Sequence, residues 1–75
     1  MMTLGELIQQ LQDMVEGGVP EETPVKLATQ PNYPFQYDVG SIVATELDDG
    51  QFVYIGEGLN QEYLPGAASE ELGWK

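Results

Sequence analysis

Leu4, Leu7, Ile8, Leu11, Met14 and Val15 recur at spacings of three and four residues, with Glu6, Gln9, Gln10, Gln12, Asp13 and Glu16 filling the positions between. That period predicts an amphipathic helix with one apolar stripe. Thr3 suits the N-cap, and Glu6 three residues on completes a capping box. Gly17-Gly18 supplies a left-handed stop and Pro20 blocks resumption. A helix this short is marginal on its own, so its stripe is expected to pack against a sheet.

The pattern then changes to a period of two. Val25 to Thr29 reads as a strand with Val25 and Leu27 toward the helix and Lys26 toward solvent. Gln30 to Pro34 is a loop, since Pro31 and Pro34 cannot donate backbone hydrogen bonds and Asn32 favours a turn. Gln36 to Leu47 reads as a longer strand in which Gly40-Ser41 marks a bulge where the inward face changes phase. Asp48-Asp49-Gly50 is a hairpin turn, and Gln51 to Ile55 returns. Phe52 and Tyr54 alternate with Val53 and Ile55, so both faces of the return strand are apolar. It is therefore expected at the centre of the sheet, or covered by the C-terminal segment or a partner. Gly56-Glu57-Gly58 ends it.

Tyr63-Leu64-Pro65-Gly66 reads as a turn or the start of a helix, and Ala67, Ala68, Glu71 and Leu72 as one or two helical turns stopped by Gly73. Trp74 is expected to anchor the chain end, given the area such a ring buries. The fold class that follows is α+β: an N-terminal helix packed on a three-stranded, mainly antiparallel sheet, with a short C-terminal helical segment, in one domain over residues 1–75. A three-stranded sheet leaves edges that need protection, and a homodimer is the expected remedy.

Charge sharpens this picture. Thirteen acidic residues stand against two basic ones, for a formal net charge of -11 on 75 residues. Such a body repels itself and repels phosphate, which disfavours direct nucleic-acid or anionic-membrane binding and points to partners with basic surfaces. There is no cysteine and no histidine, which removes thiolate chemistry, the commonest general base and the commonest transition-metal ligand. No apolar run reaches membrane-spanning length and no leader pattern opens the chain, so a soluble, cytoplasmic protein is expected.

Several segments together form a recognisable combination. They are the opening T-x-x-E-L-I-x-x-L-Q (Thr3 to Gln12), V-x-L-A (Val25 to Ala28), Q-P-N-Y-P-F (Gln30 to Phe35), V-Y-I-G-E-G (Val53 to Gly58) and Y-L-P-G-A-A-x-E-x-L-G-W (Tyr63 to Trp74). This combination resembles a group of small uncharacterised proteins of bacterial and phage genomes. The resemblance spans nearly the whole chain and implies a phage or mobile-element setting, with no activity attached to particular residues.

The residue types argue against an enzyme. Paired-carboxylate catalysis needs two acids held in a cleft, and so short a chain has little interior to enclose one. The EF-hand spacing is absent around Asp48-Asp49-Gly50, so no metal site and no cofactor are expected. The expected function is a non-catalytic acidic protein-binding module. In a phage setting it would be an inhibitor that acts as a DNA mimic, occupying the basic site of a nucleic-acid-handling enzyme. Its candidate contact residues are Glu46, Asp48, Asp49, Glu57 and Glu62, with the aromatics Tyr33, Phe35 and Tyr37, which alternatively cap a small core. The other expectation is a small structural or assembly protein that homo-oligomerises, its acidity serving solubility.

Overall fold

The capping box forms. In the computed structural model, which describes residues 1–74, the Thr3 hydroxyl accepts from the Glu6 backbone N–H at 3.1 Å and the Glu6 carboxylate accepts from the Thr3 backbone N–H at 2.9 Å. From this start α1 runs over Leu4–Glu16. Its end is a Schellman motif: Gly18 takes φ 111°, its N–H donates to Val15 O, and the Val19 N–H donates to Met14 O.

Four strands follow: β1 (Lys26–Thr29), β2 (Phe35–Leu47), β3 (Gly50–Glu57) and β4 (Glu62–Tyr63), before α2 (Gly66–Glu71). All pairings are antiparallel and all involve β2. The expected α+β architecture is therefore present, with the two-residue β4 added where a turn was expected. The central strand is β2. The return strand β3 lies at an edge, so the apolar character of both its faces does not come from a central position.

The bulge falls at Gly40-Ser41: Val39 pairs with Glu57 and Ile42 with Ile55, so two residues of β2 oppose one of β3. Because the pair counts as one step, the bulge keeps Phe35, Tyr37, Val39, Ile42 and Ala44 on the same face. Without it, Ile42 and Ala44 would fall on the opposite face to Phe35. Gly40 is required here by close approach, since a Cβ at that position would sit 2.8 Å from the Glu57 carbonyl oxygen.

Two halves of the sheet differ in what surrounds them. Near its start β2 has β1 along Phe35–Asp38 and β4 along Phe35–Gln36. From Val39 to Leu47 it pairs with β3 alone. That stretch is a two-stranded ribbon, an arrangement only marginally stable by itself in water.

The expected packing of the helix stripe into a core is not what the structure shows. Only the first turn of α1 approaches the sheet, where Met2, Leu4 and Leu7 share a cleft with Val53 and Ile55. Beyond it Ile8, Leu11, Met14 and Val15 stay exposed, Ile8 at 57%. Among the described residues no apolar side chain is buried. Beyond Val39 the sheet offers two strands and no further layer, so nothing among the described residues closes over the rest of the stripe.

Candidate interaction surface

Three surfaces result. The first is aromatic. Pro31 and Asn32 occupy the middle of a turn closed by the Tyr33 N–H donating to Gln30 O at 2.9 Å. This turn delivers Tyr33 beside Phe35, with ring centroids 5.3 Å apart. The register sets Tyr63 across from Phe35, and those rings stack at 5.3 Å with 20° between planes. Tyr33 and Tyr63 lie 6.2 Å apart. Tyr63 is 71% exposed, so the trio forms a surface patch. No sequence signal places Tyr63 beside these rings, because the two-residue β4 is too short to carry a period. Tyr37 lies two residues along the same face of β2, opposite Leu27 on β1.

The other face of this half is polar. Lys26 donates to Asp38, and Asn60 donates to the same carboxylate at 2.8 Å. Gln36 donates to Glu62 at 2.9 Å. Lys26 is thus engaged with a neighbouring strand and not simply projected into solvent. Its ammonium first, then the Asn60 amide, holds the Asp38 carboxyl below the usual carboxylate value. Asp38 in turn raises the Lys26 amine. At the other end of the chain the Thr3 backbone N–H, followed by its hydroxyl, lowers the Glu6 carboxyl.

The acidic candidates do not gather in one place. Glu46, Asp48 and Asp49 lie at the tip of the β2–β3 hairpin, Glu46 opposite Gln51. Glu57 stands opposite Val39 and Glu62 opposite Gln36. At ~3.3 Å per residue the two groups are roughly 20–30 Å apart along β2. The register also puts Glu62 on the face opposite to Glu57. Among the described residues no three carboxylates come together where they could hold a metal ion, and no helix is long and apolar enough to cross a membrane.

The third surface is the apolar wedge between α1 and the ribbon. One arm carries Leu4, Ile8, Leu11, Met14 and Val15, and the other carries Ile42, Ala44, Val53 and Ile55. At the apex a cleft of about 570 Å³ is bounded by Met1, Met2, Leu4, Ala44, Gln51 and Val53. The far face of the ribbon adds Val43, Phe52 and Tyr54, the two rings 6.4 Å apart.

The C-terminal segment closes on the aromatic end. A second Schellman motif ends α2, with Gly73 at φ 75° and the Trp74 N–H donating to Ser69 O. Trp74 then lines a hollow with Pro31, Pro34, Leu64 and Ser69, in line with an anchoring role. Ser69 is the one buried residue of the described chain.

No family model, no curated protein and no solved structure matches this chain.

Proposed function

We propose that the protein is a non-catalytic binding module that works by assembly, using its apolar helix face and ribbon as the contact surface. The observation that carries this is the exposure of the whole α1 stripe beyond its first turn, together with an apolar ribbon that none of the described strands flanks. Apolar patches of this size on a small soluble protein mark sites that meet other macromolecules. The acids fit a supporting part: they lie off the helix stripe and off the centre of the ribbon, where they keep an apolar surface in solution.

A second reading rests on the charge of -11. In it the carboxylates occupy a basic, nucleic-acid-binding site on a host protein, as an inhibitor in the phage or mobile-element setting that the sequence resemblance implies. The distance between the hairpin-tip acids and Glu57 and Glu62 favours the first reading, because a duplex mimic needs its charges in a continuous row.

Partner capture compared across variants and salt tests the choice. Complexes are recovered with the wild-type chain, with Leu11→Asp, and with Glu46→Gln/Asp48→Asn/Asp49→Asn. Loss in Leu11→Asp, retention in the neutralised hairpin and persistence at about 0.5 M salt are the expected results. The opposite pattern would establish the electrostatic reading.

A further inference from the structure

We infer that the wedge between α1 and the β2–β3 ribbon is filled by the wedge of a second copy, so that each α1 lies on the partner's ribbon and the two chains build one core between them. This rests on the assembly reading above and names its partner.

Area is the first argument. The chain exposes 6217 Å². A compact monomer of 8.3 kDa would expose about 4,600 Å² by the usual scaling of surface with mass. The excess, roughly 1,600 Å², is about twice what each partner buries in a standard interface and falls in the range of obligate dimers. The radius of gyration agrees: 14.1 Å against about 11 Å for a compact chain of this length. Both figures describe an open shape with apolar surface left over for a second chain to cover.

Shape and charge are the second argument. The wedge has two unlike arms, a convex helix ridge and a flatter ribbon face. A two-fold axis brings ridge to ribbon twice over, which closes the assembly and leaves no arm exposed. Two bodies of charge -11 meet at least cost through a surface that carries no charge. The stripe Ile8, Leu11, Met14, Val15 and the ribbon positions Ile42, Ala44, Val53 and Ile55 include no ionisable group. A basic foreign partner would gain nothing from such a patch. A second copy, made at equal concentration, needs nothing else.

The full chain is measured by sedimentation from micromolar concentration downward. A species of twice 8.3 kDa is expected, with a melting temperature that rises with protein concentration. Added salt should tighten the pairing several-fold, because it screens like charges. Since the chain lacks cysteine, Ile8→Cys and Ile42→Cys chains can be mixed and treated with a short bismaleimide. Bridging between the two variants is the expected result. If either cysteine loosens the fold, hydrogen exchange on the unmodified chain still decides: protection of α1 should disappear on dilution through the dissociation range. A folded monomer of 8.3 kDa whose melting is independent of concentration would overturn the inference, as would a trimer or larger assembly. Two monomer outcomes differ. If α1 is protected on its own ribbon, with Ile8→Cys/Ile42→Cys bridging only within one chain, the assembly reading falls as well. If α1 stays unprotected, self-pairing alone falls and a foreign occupant takes its place.

Discussion

The two ends of β2 are built from the same strand and reach opposite conditions. Around Phe35–Asp38 the strand has β1 on one edge and β4 on the other, an ion pair on one face, three stacked or tilted rings on the other, and Trp74 tucked nearby. Around Ile42–Leu47 it has a single neighbour and two apolar faces, and only the start of α1 comes near the ribbon, at Val53 and Ile55 of β3. The first end pairs its charged and amide side chains, leaves only the buried Thr29 hydroxyl without a partner among the described residues, and gathers its rings within one chain. The second has the apolar side chains for a core but not the layers to enclose them. The division falls at the Gly40-Ser41 bulge, and it separates the part of the protein that folds on itself from the part whose apolar side chains stay open.

The sharpest way to break this comparison is to put a charge into the open end. Leu11→Asp places a carboxylate in the middle of the stripe, where pairing would bury it without a partner. Loss of dimer is expected, with the dissociation constant raised at least about 100-fold, near 2.7 kcal/mol. The same substitution on a helix that simply faces water would change stability by less than about 0.5 kcal/mol. Sedimentation of wild type and variant side by side distinguishes the two.

The boundary itself comes next. Gly40→Ala forces a methyl group against the Glu57 carbonyl, 2.8 Å from the ideal Cβ position. Backbone on both sides must shift, and a cost of about 1–3 kcal/mol is expected in denaturant unfolding. Because the bulge keeps Phe35 and Ile42 in phase, the variant should also loosen the ribbon's register, seen as faster amide exchange in β3 than in β1.

At the closed end the effects shrink. Tyr63→Ala removes two ring contacts from a side chain that is already mostly exposed, so about 1 kcal/mol is expected. Thr29→Val should have the opposite sign. The Thr29 hydroxyl is buried with no hydrogen-bond partner, and replacing it with a methyl group should add up to about 1 kcal/mol. Thermal melts at one fixed protein concentration read both.

How much of this could be read from the sequence depends on how local each signal is. The helix and its cap, the bulge, the hairpin and the Gly-Trp ending are written in local signals: Thr3 with Glu6, Gly40-Ser41, Asp48 to Gly50, Gly73. Each depends on residues a few positions apart, so each is legible. What the stripe packs against depends on how many strands flank β2, and no local signal carries that. Hence Leu11 and Met14 read as core while the structure leaves them open. The aromatic candidates fared in between. Tyr33 and Phe35 are neighbours in the loop and their proximity is legible there, but Tyr63 joins them only through a pairing 28 positions away from Phe35. The carboxylates were countable, yet their separation into a hairpin-tip group and a far group needed the register.

Acid offers the finest test, because the two ends should respond with opposite signs. Asp38 and Glu6 both have carboxyls lowered in the folded chain. Groups of that kind contribute stability that is complete above the unfolded carboxylate value, about 4, and is lost as pH falls through the lower folded value. Lys26 is raised, so its contribution is complete below the unfolded amine value, about 10.4, and is lost only as pH rises past the higher folded one. All three groups are exposed, so these changes are small, and Asp38→Asn should remove the acid part at the closed end with little other effect. At the open end the Glu6 cap weakens in the same way, but the change in net charge acts with the opposite sign. Protonating carboxylates lowers a net charge of -11, and two copies that repelled each other approach more readily. Between about pH 5 and pH 3, amide exchange in β1 and the start of β2, taken relative to the intrinsic rate at each pH, should quicken while the dimer dissociation constant falls. A dissociation constant that rises in step with that exchange would mean that the two ends of β2 are one cooperative unit, and the division at Gly40-Ser41 would lose its physical meaning.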